Sequence, residues 1–244
     1  MSRIDFDMSF LEHLEELRWR IIKSMVIILF GAFIAYFISD EIIRLLLLPT
    51  HSLDINMNLQ VLKITSMFSI KLSVSLFGGI IIGLPLLLFQ FWKFISPAFE
   101  RQYGYSIFFI ILFSSFFFLI GMSFAFYFIV PFSLSFFTSL ISSTIPVNYN
   151  FTLESYLIYA LWLILGCGLL FQLPIISILL TKIGILTPAF LRHYRRFSIV
   201  ILLVMSAILT PPDPLSQIII VIPLLLLYEF SILISRILKP KDIK

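Results

Sequence analysis

Charge is scarce in this sequence. Asp, Glu, Lys and Arg make up 12% of its 244 residues, whereas apolar residues make up 60%. A water-soluble fold of this size could not bury so much apolar surface. Uncharged stretches such as residues 106–152 also run far longer than the strands of a soluble α/β protein. The composition excludes an ordinary soluble domain and predicts a protein whose solvent is a bilayer.

Cysteine is almost absent. The single one, Cys167, lies in an apolar stretch, which excludes an intramolecular disulfide framework and a thiolate metal site. The net charge is +4, but the basic residues lie between apolar segments and not in a stripe interleaved with aromatics. No Walker-type phosphate loop occurs. We therefore expect no cofactor, no metal and no nucleic-acid partner.

Long apolar runs, in contrast, are frequent. A helix needs about twenty residues to cross about 30 Å of hydrocarbon. Runs of this order predict an all-α, polytopic membrane protein with six transmembrane helices. The last two are short. The flanking residues of such a short hairpin snorkel, or its neighbours shield it, or it thins the bilayer locally. The predicted spans cover residues 21–38, 67–91, 106–130, 156–180, 197–209 and 215–237.

The distribution of basic residues predicts the orientation. Of the 17 Lys and Arg residues, only Arg44, Lys63 and Lys71 fall on one side of the predicted spans. Basic residues in short loops resist translocation, so the side with the others is cytoplasmic and both termini lie inside. Three spans also contain a proline, which bends a helix, so we expect a concave bundle. These are Pro85, Pro174 and Pro223.

No repeat or linker divides the chain, and we interpret residues 1–244 as a single membrane domain. Residues 1–20 are predicted to be a cytoplasmic amphipathic helix, residues 21–237 the six-span bundle, and residues 238–244 a cytoplasmic tail.

Three other classes of membrane protein were weighed. An intramembrane enzyme would need a GxSxG elbow, an HExxH pair or paired membrane aspartates, which the sequence lacks. A haem protein would need histidines on facing helices, but only His13 and His193 fall on one predicted side, and His51 does not. A secondary transporter for small solutes would show paired repeats and midplane charges. The sequence lacks both features, so these three classes are disfavoured.

Residues 10–21 read FLEHLEELRWRI, with Phe10, Leu14 and Leu17 on one helical face and the acidic residues off it. This segment resembles the N-terminal signature of TatC, the large subunit of the twin-arginine translocase. The matching residues are His13, Leu14, Glu16, Leu17, Arg18 and Arg20. Further resemblances follow in the family's order: Pro49, FISPA at 94–98, Gly121-Met122, Pro131, FQLP at 171–174, TPPD at 210–213, Ser216-Gln217, and Pro223 with Glu229.

The resemblance implies a machine that exports folded proteins whose signal peptides carry two adjacent arginines. It implies TatA-type and TatB-type single-span partners within an oligomeric complex, and the proton motive force as the energy source. The membrane would be a bacterial plasma membrane or a plastid thylakoid. Such a protein is not an enzyme and needs no cofactor.

Carboxylates are the natural partners of the signal's arginines, because a guanidinium binds them bidentately and keeps its charge. Glu16 matches the first carboxylate of the family. The second normally follows the loop proline, here Pro97, by six residues, but Tyr103 occupies that position. Glu100, one helical turn away, is the nearest substitute. We expect Glu16 and Glu100 to bind the signal.

Phe94 offers an aromatic face beside this site, and with Pro97 it would shape the loop. Arg18 has only donors, so it would orient the carboxylates or meet lipid phosphate. Within the membrane, Gln172 occupies a position where relatives often carry glutamate, and Glu229 would snorkel or pair with Arg236. The residues assigned to partner docking or structure are Pro49, Gln172, Thr210, Pro212, Asp213, Gln217 and Glu229.

Overall fold

A computed structural model describes residues 10–51, 59–95, 104–139, 151–182, 184, 186–210 and 214–238. These residues are almost wholly helical. The helices are α1 (Phe10–Phe37), α2 (Ser39–His51), α3 (Ser66–Ile95), α4 (Gly104–Phe124), α5 (Val130–Ser139), α6 (Leu153–Leu170), α7 (Leu173–Lys182), α8 (Pro188–His193), α9 (Arg195–Leu209) and α10 (Pro214–Leu238), with a π-helical turn over Ala125–Ile129 between α4 and α5. Two short strands, β1 (Leu59–Gln60) and β2 (Phe151–Thr152), pair in parallel.

Five helical runs among the described residues are long and apolar enough to cross a membrane. They confirm a polytopic all-α membrane protein. The remaining predicted span corresponds to α9, which has 15 residues and is therefore only about 22 Å long. The prediction that the sixth span is also short is wrong, because α10 has 25 residues. The five runs are Leu11–Phe37, Ser66–Phe94, Phe108–Ser139, Leu153–Thr181 and Ser216–Ile237.

The first run is one continuous helix. The amphipathic segment and the first span were predicted to meet at residue 20. The helix does not break there, because α1 runs without interruption over its 28 residues. The amphipathic signature therefore forms the first turns of the spanning helix, and any side chain on it is held at a fixed angle to α3.

The helices α1 and α3 make backbone contact. A Cβ atom added to Gly79 would lie 2.4 Å from the Ala32 nitrogen and 2.6 Å from the Ile28 oxygen. One added to Gly31 would lie 2.7 Å from the Gly79 oxygen. Small residues let membrane helices approach closely enough for van der Waals attraction to hold them without a hydrophobic driving force. The two glycines thus fix the spacing of α1 and α3.

The fourth run lies at the centre of the molecule. In its most apolar window 61% of the residues are buried, against 17% in α1. It is interrupted by a turn at Phe171 and Gln172 between α6 and α7. Pro174 lies in the first turn of α7, where its missing N–H is tolerated. Pro85 and Pro223 lie inside α3 and α10, which continue past them, and bends there stay predictions.

We predict that Gly79→Val destabilises the protein, because its side chain would collide with the backbone of α1. Overpacking of this kind costs about 1–3 kcal/mol, which would appear as a lower thermal unfolding midpoint in detergent. Leu86→Val, at an exposed position of the same helix, is the control for β-branching. Equal midpoints for Gly79→Val and the unsubstituted protein would contradict the proposed helix contact.

Candidate functional site

The candidate site is built around the carboxylate of Glu16, in the second turn of α1. Arg20 lies one turn further along the same face and donates to Glu16 Oε1 from Nε at 3.0 Å and also from Nη2. A glutamate four residues before an arginine is the favourable order for an ion pair on a helix. Arg20 Nη1 also donates to Gln90 Oε1 of α3 at 3.4 Å. The site therefore lies where α1 and α3 run side by side.

The two oxygens of this carboxylate have different surroundings. The Glu16 side chain is 21% exposed and that of Arg20 is 12% exposed. Oε1 receives both Arg20 donors, whereas Oε2 is buried and has no hydrogen-bond partner among the described residues. His13 Nδ1 is 3.9 Å from Oε2, beyond hydrogen-bond range. One acceptor of the carboxylate is thus shielded from solvent and unbonded within the described part of the chain.

An aromatic stack borders the carboxylate. The ring of Phe94, at the end of α3, stacks on His13 with centroids 4.4 Å apart and planes 16° apart. His13 itself lies three residues before Glu16 on α1. The stack places the predicted aromatic residue beside the predicted carboxylate, which are 78 positions apart in the sequence.

Arg18 and Arg20 differ in what they contact. The Arg18 guanidinium is exposed and its Cζ lies 6.0 Å from the ring centre of Trp19. The arginine bonded to Glu16 is Arg20, whereas the sequence predicted that Arg18 orients the carboxylates. The four-residue spacing to Glu16 was the signal that could have found Arg20.

Five of the predicted residues lie outside the described part of the chain. Pro97, Glu100 and Tyr103 belong to the segment between α3 and α4, and Pro212 and Asp213 to the segment between α9 and α10.

Gln172 lies in a buried polar network at the turn between α6 and α7. It is 6% exposed, and its Nε2 donates to the Ser114 carbonyl at 3.0 Å. Ser114 Oγ donates to Gln172 Oε1, and Trp92 Nε1 donates to Ser114 Oγ at 3.3 Å. The network joins α3, α4 and the interruption of the fourth run. Both the oxygen and the nitrogen of the Gln172 side-chain amide are therefore hydrogen-bonded within the protein.

Three other residues assigned to docking or structure lie in the described part of the chain, apart from Glu229. Pro49 is buried within α2. Thr210 Oγ1 donates to the Ser206 carbonyl at 2.9 Å, which caps the last turn of α9. Gln217 Nε2 donates to the Leu203 carbonyl at 2.9 Å and so ties α10 to α9.

Of the two alternatives predicted for Glu229, the pairing with Arg236 is wrong, whereas snorkelling stays a prediction. Glu229 Oε2 instead accepts from Arg195 Nη2 at 2.7 Å. Arg236 is seven residues further along α10, about 10 Å along the helix axis, whereas Arg195 begins the neighbouring helix α9. Nearby, Tyr228 donates to the Leu191 carbonyl at 2.7 Å and accepts from Ser198 at 2.9 Å. These contacts tie α8, α9 and α10 together.

Membrane-length helices are packed around a central interrupted run, and a carboxylate–guanidinium cluster lies between two helix ends. These features define a polytopic helical membrane protein with a polar cluster at one end. The family described as TatC: Sec-independent protein translocase protein (TatC) matches residues 12–223. The chain belongs to the TatC family.

Individual relatives and solved structures agree with this. The chain is 34% identical over 235 residues to TatC of Aquifex aeolicus, which covers 96% of this chain and 98% of the relative. It is 36% identical over 232 residues to TatCy of Bacillus subtilis, with coverages of 94% and 89%. A crystal structure described as the twin arginine translocase receptor TatC superimposes with a TM-score of 0.81 at 33% identity, covering 93% of this chain and 99% of that one.

We predict that the Gln172–Ser114 hydrogen bonds stabilise the fold. Gln172→Leu and Ser114→Ala should each lower unfolding stability in detergent by about 1 kcal/mol, the usual scale for interhelical hydrogen bonds in membranes. The double variant should lose less than both single losses together, because the two residues share one interaction.

The neighbouring Ser115 is a matched control for this experiment. Its buried hydroxyl has no hydrogen-bond partner in the described part of the chain, so Ser115→Ala should leave stability unchanged or raise it. Strict additivity of the Gln172 and Ser114 losses would contradict the assigned bonds.

Proposed function

We propose that this chain is the subunit of a twin-arginine translocase that binds the Arg-Arg signal peptide of folded precursor proteins. The observation that carries the proposal is the Glu16 carboxylate, which holds one guanidinium on Oε1 and has no hydrogen bond on Oε2 among the described residues. As a translocase component the protein is a transport protein, not an enzyme. The structures it resembles are described as twin arginine translocase receptors.

The chemistry of the site suits arginine. A guanidinium cannot be neutralised by deprotonation, and its planar fork matches a carboxylate held in a fixed orientation. Glu16 is mostly shielded from water, at 21% exposure, so a charge-assisted bond there is less weakened by solvent than one on the open surface. Phe94, stacked on His13, adds an aromatic face to which the second arginine binds by a cation–π contact.

The loop after Phe94 completes the site in this proposal. Glu100 supplies the second carboxylate, Pro97 shapes the loop, and Tyr103 occupies the position that usually carries this acid. Arg18 is exposed beside Trp19 and binds the phosphate groups of lipids near the signal. The proposal thus joins residues of α1 with those that follow α3.

The proposed topology has six spans with both termini in the cytoplasm. In it, α9 is the short fifth span, and its exposed apolar side chains, such as Phe197, Ile201 and Val204, face lipid. The predominance of Lys and Arg on the side of the termini supports the orientation. Bacterial relatives favour a bacterial plasma membrane over a plastid thylakoid.

TatA-type and TatB-type single-span subunits are the proposed partners, in a complex driven by the proton motive force. Gln172 carries an amide that cannot titrate and bonds to Ser114 within the protein. We therefore assign it to supporting the bundle and not to proton transfer. Pro49, Thr210 and Gln217 support the surface on which partners dock, together with Pro212, Asp213 and Glu229.

We predict that Glu16→Ala weakens photocrosslinking of a twin-arginine signal peptide by about tenfold or more, the scale of a lost charge-assisted hydrogen bond. Glu100→Ala should add to the loss. Glu15→Ala removes the same charge from an exposed neighbouring position on α1 and should retain crosslinking. Undiminished crosslinking in the Glu16/Glu100 double variant would reject the assignment.

Export in cells tests the function as a whole. In a strain without its own TatC, the chain with cognate single-span partners should export a folded reporter with an Arg-Arg signal, and a Lys-Lys signal should reduce export strongly, because ammonium groups lack the planar fork. Equal export of both reporters would show that the pair of arginines is not what the chain recognises.

A further inference from the structure

Arg20 is the least exposed cation of the candidate site. Its side chain is 12% exposed, and its guanidinium bonds to two helices: Nε and Nη2 donate to Glu16 of α1, and Nη1 donates to Gln90 of α3. A positive charge held beside the acceptor for another positive charge requires a physical explanation.

A resident cation has two opposite effects on an incoming arginine. By Coulomb repulsion it disfavours a second cation, so its removal would tighten binding of a dicationic signal. By fixing the carboxylate it keeps Glu16 in one orientation, so its removal would release the side chain into several rotamers and weaken binding. The two effects predict opposite signs for the same substitution.

The contacts favour the second effect. Both Arg20 donors that reach Glu16 meet the same oxygen, Oε1, and Oε2 stays buried without a hydrogen bond in the described residues. Arg20 therefore leaves Oε2 unbonded, and Oε2 is the acceptor that the proposal assigns to the signal. Gln90 holds the third donor, at 3.4 Å, so the guanidinium is anchored to α3 and does not depend on Glu16 alone.

We propose that Arg20 is the positioning residue of this site: it fixes Glu16 so that Oε2 faces the signal, and this fixed orientation gives the preference for arginine over lysine. The inference rests on the proposed function. A guanidinium fork needs an acceptor at a set angle, whereas the rotatable donors of an ammonium group tolerate a mobile one. Loss of Arg20 therefore reduces arginine binding more than lysine binding.

The test measures binding of fluorescein-labelled signal peptides, one with Arg-Arg and one with Lys-Lys, to the purified full-length protein in detergent. Arg20→Gln should weaken Arg-Arg binding about tenfold, the scale of one lost charge-assisted bond, and should bring the ratio of the two affinities close to one. Arg20→Lys keeps the charge without the fork and should fall between. Gln90→Leu, which changes no charge, should lower the ratio partially.

Lys23→Gln is the matched control. It removes the same charge from an exposed position on the next turn of α1, and it should leave both affinities and their ratio unchanged. Unfolding midpoints of all variants are measured alongside, so that a general loss of folded protein is recognised.

Three results would overturn the inference. Equal or tighter Arg-Arg binding by Arg20→Gln would show that Arg20 competes with the signal. A proportional loss of both peptides together with a lower midpoint would show a structural role alone. An unchanged ratio in Arg20→Lys and Gln90→Leu would show that the anchored fork does not set specificity.

Glu16→Gln separates this inference from the proposed function. Full Arg-Arg binding by Glu16→Gln would reject Glu16 as the acceptor, and the inference with it. Loss of binding in Glu16→Gln together with unchanged binding in Arg20→Gln would reject only the positioning role of Arg20.

Discussion

The backbone contact between α1 and α3 determines the geometry of the candidate site. Gly31 and Gly79 leave no room for a Cβ atom between these antiparallel helices, so their spacing and register are fixed in the middle of the membrane-length runs. Towards the N-terminal end of α1, the same register brings Arg20 to Gln90 and His13 to Phe94. The polar site is thus a consequence of apolar helix packing, and no loop is needed to bring its first members together.

The Gln172 amide is satisfied inside the protein, where lipid would offer no hydrogen bonds to replace water. The helix α6 ends at Leu170, and the turn that follows contains Gln172. The side-chain amide of Gln172 is hydrogen-bonded to Ser114. Trp92 completes the network, and it lies two residues before Phe94 on α3. The same end of α3 therefore contacts both the interruption of the central run, through Trp92, and the candidate site, through Phe94.

Hydropathy and charge predicted the helical spans, because spans depend on the composition of a segment. The family resemblance assigned Glu16 and Phe94 to the candidate site, because motifs lie within short stretches of sequence. The partners of these residues depend on helix rotation and register, which composition does not specify. Arg20 was visible at four-residue spacing from Glu16, but its contact with Gln90 requires knowing which face of α3 meets α1. The same limit explains Glu229, which meets Arg195 of a neighbouring helix and not Arg236 on its own. The turn before Pro174 was expected only as a bend, since a proline in sequence does not distinguish a bent helix from a new helix start.

Local charge explains why one carboxylate is insufficient for a signal with two arginines. Glu16 and Arg20 together carry no net charge, and Arg20 is too buried for solvent to screen it fully. Two incoming guanidinium groups would therefore bring two uncompensated positive charges next to a neutral pair. Glu12 and Glu15 lie on exposed turns of α1, where water weakens their attraction. Net attraction in the proposed site needs a further carboxylate nearby. Glu100 is the acidic residue of the sequence segment between Phe94 and α4. In the proposed site, the resident arginine beside Glu16 thus makes a second acidic residue a requirement.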